Sequence, residues 1–369
     1  MQTNKENQAP VDSSYTAAAD HMTAAVVGKQ YEHEFLASDN EDKRSERCDD
    51  GDVSSGRYTR AGGEKSDEGT HRTLQLDFHH PLEDWLGRWA FRRILRVLSK
   101  PDRHNTTALE RMLRSYRNPA AAASQRFRYW PLHKLMDRLV TPEGWENFRH
   151  RSKQFGATVR GINIVAQSLA EFGLTVPQKF TSPLFVVWNF TNRCNLKCKH
   201  CYQDSEHDAL SGELDLNEKL NLVDQMGRMH IPMMAISGGE PTLSSDLVPV
   251  IRRAAGFEMH LSLATNGTTM TPRRAAELRD AGLRYVEISL DSVDPDRHDA
   301  FRGIAGMWKR AVEGARNVAG TEGLRLGVAM CVHQGNFHEV REMIRFAEED
   351  LGANCFAHFN FIPVGRGLK

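Results

Sequence analysis

A chain of 369 residues has room for two domains, and its 48 Lys plus Arg balance its 48 Asp plus Glu, so bulk charge points to no class of partner. Six cysteines are too few over this length for a disulfide-stapled scaffold. No apolar run reaches membrane-spanning length, and no apolar core of signal-peptide length is present.

Residues 1–73 are rich in Ser, Gly, Asp, Glu and Lys and poor in large apolar side chains, as in Ser38-Asp39-Asn40-Glu41-Asp42-Lys43-Arg44. Such a segment cannot bury enough apolar surface to offset its ordering entropy, and we expect a disordered tail in which Cys48 is a free thiol. Its acidic residues argue against a mitochondrial transit peptide.

Residues 74–174 read as a small helical domain. Leu82, Trp85, Leu86, Trp89, Ile94, Leu95 and Leu98 recur at helical spacing opposite Arg88, Arg92, Arg93 and Arg96, and Pro101 ends that helix. Further helices are expected over Ala108–Tyr116, Pro131–Val140 and, as one long element, Pro142–Phe172, with Gly173 as its C-cap. The arginines here, including Arg111, Arg114, Arg117, Arg126 and Arg128, have no basic-plus-aromatic motif around them. They read as the solvated face of amphipathic helices rather than as a nucleic-acid or membrane surface.

Residues 175–369 form the second unit, entered through the proline-bracketed stretch 174–183. Strand-like runs alternate with helix-like runs: Pro183–Phe190, Pro232–Ile236, Met259–Ala264, Tyr285–Leu290, Leu326–Val332 and Phe356–Phe361 as strands, with Leu216–Met229, Asp246–Ala255, Pro272–Ala281 and Phe337–Asp350 among the helices. This alternation predicts an α/β fold of parallel βαβ units, an open partial (β/α)6 barrel. Cys331 and Cys355 fall singly inside predicted strands and read as buried core thiols.

The loop after the first strand carries Cys194-x3-Cys198-x2-Cys201. Three thiols at this spacing can serve one soft metal centre, and three are one short of a closed four-cysteine iron-sulfur site. Structural zinc is the competing reading. Zinc sites usually gather two separated pairs, and no second C-x2-C or C-x2-H pair follows. Further strand ends are polar or glycine-rich: Ser237-Gly238-Gly239-Glu240-Pro241, Thr265-Asn266-Gly267 and Ser289-Leu290-Asp291-Ser292. In isolation each reads as turn and cap chemistry.

Taken together, the cysteine motif with His200 before its last cysteine, and the Gly-Gly-Glu-Pro run at the next strand end, resemble the radical S-adenosylmethionine (SAM) enzymes. The resemblance spans about Pro183 to Gly367. It implies a [4Fe-4S] cluster on Cys194, Cys198 and Cys201, with SAM on the open iron. The reduced cluster splits SAM in that family into methionine and a 5′-deoxyadenosyl radical. It also implies SAM contacts from Gly238, Gly239, Glu240 and Pro241 at the methionine end, from Thr265, Asn266, Ser289 and Asp291, and from His200 and Tyr202 beside the adenine, the last two reading equally well as packing residues. Glycine at 238 and 239 is expected to let backbone approach SAM closely. The likeness is to the SPASM-type members, which modify peptides or tailor haem and related tetrapyrroles, although the auxiliary-cluster domain that follows in them is absent here. Two function classes follow. One is an enzyme abstracting hydrogen from a peptide or tetrapyrrole-like substrate. The other is a cluster- and SAM-binding subunit without independent catalysis, its open barrel edge covered by a partner chain. Unpaired cluster thiolates imply a reducing, cytoplasmic setting and a ferredoxin- or flavodoxin-like electron donor.

Overall fold

The computed structural model describes residues 26–28, 88–151 and 155–368. The disordered-tail expectation, with Cys48, lies outside the described residues except at Val26–Gly28 (β1). That strand pairs antiparallel with the last strand of the sheet, a pairing the polar composition of the tail did not foreshadow.

Helices α1 (Trp89–Leu98), α2 (Ala108–Ser115), α3 (Ala123–Arg128), α4 (Trp130–Leu139), α5 (Pro142–Arg151) and α6 (Phe155–Phe172) follow. The single long helix expected over 142–172 is described as two, α5 and α6, on either side of 152–154. Leu109, Met112, Leu113, Tyr116, Tyr129, Trp145 and Val159 form the core of this layer, with Leu95 and Leu98 packed against it. Thr107 caps α2 through a reciprocal box with Glu110, satisfying two amide donors that the first turn cannot. The arginines are not merely solvated. Arg111 pairs with Asp102 at 2.6 Å, Arg117 with Asp137 at 2.9 Å, and Arg114 with Glu258 at 2.5 Å. Arg92 and Arg96 donate to the Ala170 and Glu171 carbonyls at the end of α6, where helix carbonyls lack partners and the dipole favours a cation.

Then come β2 (Phe185–Asn189), α7 (Leu216–Arg228), β3 (Met233–Ser237), α8 (Leu247–Gly256), β4 (His260–Thr265), α9 (Pro272–Ala281), β5 (Tyr285–Ser289), α10 (Pro295–Arg302), α11 (Met307–Ala319), β6 (Arg325–Val332), α12 (Val340–Arg345) and β7 (Cys355–Asn360). The sheet order is β1-β7-β6-β5-β4-β3-β2, and β2 to β7 are parallel neighbours, the open partial barrel that the alternation predicts. Alternate residues turn outward into the helix-covered core: Met234, Ile236, Leu261, Leu263, Val286, Ile288, Leu326 and Val328. Their neighbours, such as Ala235, Ala264, Glu287 and Ser289, face the concave side. Cys331 and Cys355 lie in β6 and β7 as expected, yet both are only half-buried. They belong to the concave set, not to the core, because period-two alternation places them opposite Met330 and Phe356.

Candidate active site

The cysteine loop leaves the C-terminal end of β2, where parallel sheets collect ligand sites, and four neighbours hold it, three by its backbone and one by the Asn195 side chain. At the turn after β3, Gly239 N donates to Thr191 O at 2.7 Å and Glu240 N to Arg193 O at 2.8 Å. At the end of β4, Asn266 Nδ2 donates to Asn195 Oδ1 at 2.8 Å and Asn195 Nδ2 to Thr268 Oγ1 at 2.9 Å. The last turn of α10 accepts from Lys197 N (Arg302 O, 3.1 Å) and Lys199 N (Phe301 O, 2.9 Å). From the C-terminal turn, Arg366 N donates to Cys201 O at 2.9 Å and Arg366 Nη1 to Cys198 O at 3.2 Å.

Each of the three thiol sulfurs receives an N–H. Leu196 N donates to Cys194 Sγ at 3.4 Å, Ser205 N to Cys201 Sγ at 3.3 Å and Arg302 Nη1 to Cys198 Sγ at 3.7 Å. All three cysteines are unpaired. Burial pushes the Cys194 thiol up to about 11, with Glu240 and the neighbouring cysteines adding to the rise, and burial also raises Cys198. A cation at the loop reverses that preference, because a bound metal deprotonates its thiols. Among the described residues no three His, Cys, Asp or Glu side chains close on a single ion. The donor set fits a multi-iron cluster, whose irons present separate corners to separate thiolates and whose sulfurs are tuned by N–H donors of this kind.

The other residues singled out by sequence divide into two groups. Gly238, Gly239 and Pro241 form the turn against the cysteine loop. A Cβ on Gly238, whose φ is +127°, would lie 2.6 Å from Thr191 O, and one on Gly239 would collide with the Arg193 carbonyl. The close approach that needs glycine is therefore to the cysteine loop's own backbone. Glu240 is fully buried beneath it. Its carboxylate accepts from Thr265 Oγ1 at 2.7 Å, Asn266 N at 2.8 Å, Thr242 N at 3.1 Å and Thr242 Oγ1 at 2.5 Å. Burial drives its pKa up while these donors oppose the rise. Thr265 and Asn266 thus brace Glu240 and the loop together.

Asp291 is likewise engaged within the protein. Its Oδ2 takes Arg302 Nε at 2.6 Å and its Oδ1 takes Cys331 N at 2.9 Å. Burial, the largest single influence, raises this carboxyl, but Arg302, His200, His298 and the Cys331 N–H together outweigh it and the net shift is downward. Ser289 stays half-exposed at the head of the concave wall. His200 stacks on Phe301 with centroids 4.2 Å apart, and Phe301 in turn on His333 at 4.5 Å. Burial, then the Arg302 charge, lowers the His200 pKa to about 4, so its ring is neutral. Tyr202 is exposed, and its hydroxyl donates to Asn189 Oδ1 at 3.1 Å.

Sequence reasoning missed Arg302, Phe301 and His298. All three ride on α10, whose start is signalled by the N-cap Asp294 followed by Pro295.

Residues 188–347 match the model of the Radical SAM superfamily. The chain carries a radical SAM domain. Its likeness to known proteins centres on this domain: it is 34% identical over 184 residues to a protein of Dinoroseobacter shibae named pre-heme d1 synthase, covering 50% of this chain and 45% of that one. It is 30% identical over 192 residues to a Bradyrhizobium diazoefficiens protein named PqqA peptide cyclase, covering 52% of this chain and 50% of that one. The chain thus spans about half the length of these relatives. Among solved structures, Streptococcus suis SuiB bound to S-adenosylmethionine aligns with 70% of this chain and 57% of its own at 15% identity and a TM-score of 0.48. Proteins with a radical SAM domain use a [4Fe-4S] cluster and SAM. No helix among the described residues is long and apolar enough to cross a membrane.

Proposed function

We propose that the protein is a radical SAM enzyme in which Cys194, Cys198 and Cys201 hold a [4Fe-4S] cluster. SAM would sit beside it, with the Gly238–Gly239 turn, Ser289, His200 and Tyr202 at the accessible side, while the buried Glu240, Thr265, Asn266 and Asp291 brace the loop from beneath rather than touch SAM themselves. When bound, the reduced cluster supplies the electron that splits SAM into methionine and a 5′-deoxyadenosyl radical for hydrogen abstraction. The observation carrying this reading is that all three sulfurs receive N–H donors on a loop held from the ends of β3 and β4. This chain's own residues then do three things. The Glu240 hub locks the loop to β4, Arg302 and Asp291 lock it to β5 and β6, and the His200–Phe301–His333 stack walls one flank from water.

The substrate class is a peptide or a tetrapyrrole-like molecule, the two kinds named for the relatives above. Its place is the concave face of the sheet, where the small side chains of Ala235 and Ala264 line the wall, the room beside Gly327 being filled by the Tyr285 ring. A ferredoxin- or flavodoxin-like donor supplies the electron in a reducing cytoplasm. A second reading, a cluster- and SAM-binding subunit that does no chemistry alone, is favoured by the open edge strand β2, whose Phe185 and Val187 are 50% and 57% exposed and suited to cover by further chain or a partner. Anaerobic reconstitution followed by SAM and dithionite separates them. Accumulating 5′-deoxyadenosine supports the enzyme, a SAM-responsive cluster with no 5′-deoxyadenosine supports the subunit, and zinc or no iron in the protein overturns both.

A further inference from the structure

Arg302 is a buried cation, 8% exposed, placed at the last turn of α10 directly under the cysteine loop. Its guanidinium is split between two partners. Nε donates to Asp291 Oδ2 at 2.6 Å, while Nη1 points the other way and donates to Cys198 Sγ at 3.7 Å. Cys198 is the most buried of the three thiols, also 8% exposed, so little water screens the charge beside it. Asp291, 1% exposed, is in turn fixed by Cys331 N and, through its own backbone, by His298 and Asn336. The backbone of the same turn grips the loop: Arg302 O accepts from Lys197 N and Phe301 O from Lys199 N. The other two sulfurs receive neutral amide N–H donors. Among the described residues, only Cys198 takes its N–H from a cationic side chain, the near end of an ion pair whose Asp291 carboxylate lies on the far side of the guanidinium and partly offsets it.

Reduction adds an electron to the cluster, and a cation at a ligand sulfur favours the reduced form. Net charge, hydrogen bonds to sulfur and solvent exposure are the levers that set such potentials. We propose that Arg302, anchored by Asp291, raises the reduction potential of the cluster held by Cys194, Cys198 and Cys201 by placing a buried positive charge and an N–H donor on Cys198, an inference that rests on the cluster reading above. Arg302 is a positioning and tuning residue in this role, acting through Cys198.

The test is an anaerobic redox titration of the reconstituted full chain, without SAM, following the reduced-cluster signal by electron paramagnetic resonance. Arg302→Gln removes the charge but strands Asp291, a buried carboxylate without its partner. The paired variant Asp291→Asn/Arg302→Gln therefore accompanies it, keeping shape and hydrogen bonding while removing both charges. Arg302→Lys keeps the charge, and Arg253→Gln, on an exposed pair with Asp224, is the distant control. The paired variant should bind the same iron as the unaltered protein yet show at least a tenfold lower ratio of reduced to oxidised cluster at a fixed poise, about 59 mV for a one-electron couple. Arg302→Lys should recover most of that shift, and Arg253→Gln should show none. A fully loaded paired variant with an unchanged midpoint overturns the inference and leaves Arg302 a holder of the loop. So does a folded paired variant that takes up no iron. Failure of the unaltered protein to form a cluster overturns the cluster reading itself, and the two failures are thereby distinguishable.

Discussion

At Gly239 the missing side chain makes room for the cysteine loop, so a substitution there acts first on that loop. Gly239→Val should lose cluster and SAM binding together, read as iron content and the SAM-induced spectral change. A loaded protein that has lost only SAM would instead mean that the glycine serves the ligand directly, the expectation held from sequence. His298 carries a second residue-scale prediction. Its Nδ1 accepts from Asp291 N at 3.2 Å, which requires an unprotonated nitrogen, and burial followed by the Arg302 charge lowers its pKa from 6.5 to about 4. The unfolded chain therefore takes up this proton first as pH falls. The stability linked to His298 is intact above pH 6.5 and is lost progressively down to about pH 4. The steepest slope is about 1.4 kcal/mol per pH unit for one proton. Urea unfolding of the metal-free protein at several pH values should show a shallower acid dependence in His298→Gln than in the parent, and an equal dependence would count against the assignment. The sequence showed the chemistry of single residues better than their partners. Cys194, Cys198, Cys201 and the Gly-Gly-Glu-Pro turn were legible because they are contiguous. The 291–302 pairing was not, because it joins a strand end to a helix eleven residues on, and nothing local marks which arginine of that helix turns inward.

Among elements, the parallel strands were legible to within two residues at either end because apolar, β-branched runs coincide with the buried face. Helix α9 was readable to its ends from Thr271 as N-cap, Pro272 at the first position and Gly282 beyond. The stretch 337–350 reads as one helix but is a 3-10 turn, a short α-helix and a wider π turn in succession. Bonds from Leu351 N to Phe346 O at 3.1 Å and Ala353 N to Ala347 O at 2.8 Å open its end. The C-terminal turn 365–368 acts on the cysteine loop through one long side chain. Its Arg366 reaches back to Asp204 at 2.9 Å, Cys198 O at 3.2 Å and Ser205 O, closing over the cysteine loop from a position far along the chain. Arg366→Ala removes these three ties while leaving every cluster thiol in place. It should speed iron loss from reconstituted protein to a chelator several-fold while leaving the far-ultraviolet circular dichroism unchanged. Iron release at the parental rate would show that the loop does not depend on this clasp.

Over the whole molecule, the helical layer and the barrel meet at a seam that pattern reading could not foresee, because its partners are distant in sequence and individually polar. Arg160 of α6 is 7% exposed and donates to Gly227 O at 2.8 Å and Ile231 O at 3.3 Å, the carbonyls that lead from α7 into β3. Burial lowers its pKa, against the raising influence of Glu110 and Glu258. His230, in the same turn, lies 3.2 Å from Glu110 and 3.1 Å from Asn105, and Arg114 spans to Glu258 before β4. These groups satisfy one another only while the two layers are docked, so docking and folding of the barrel should be coupled. Arg160→Met keeps the aliphatic stem in place but withdraws the donor from two carbonyls, one of which, Gly227 O, keeps a bond from His230 N. An unmade buried bond of this kind costs roughly 2 kcal/mol. The parent should unfold in urea as one transition by tryptophan fluorescence and circular dichroism alike. Arg160→Met should lose about that amount and separate the two probes, the helical layer releasing at lower urea than the sheet. Coincident transitions in the variant, with stability within 0.5 kcal/mol of the parent as a rough bound for neutral surface changes, would show that the seam is held by its apolar contacts and that Arg160 is incidental to it.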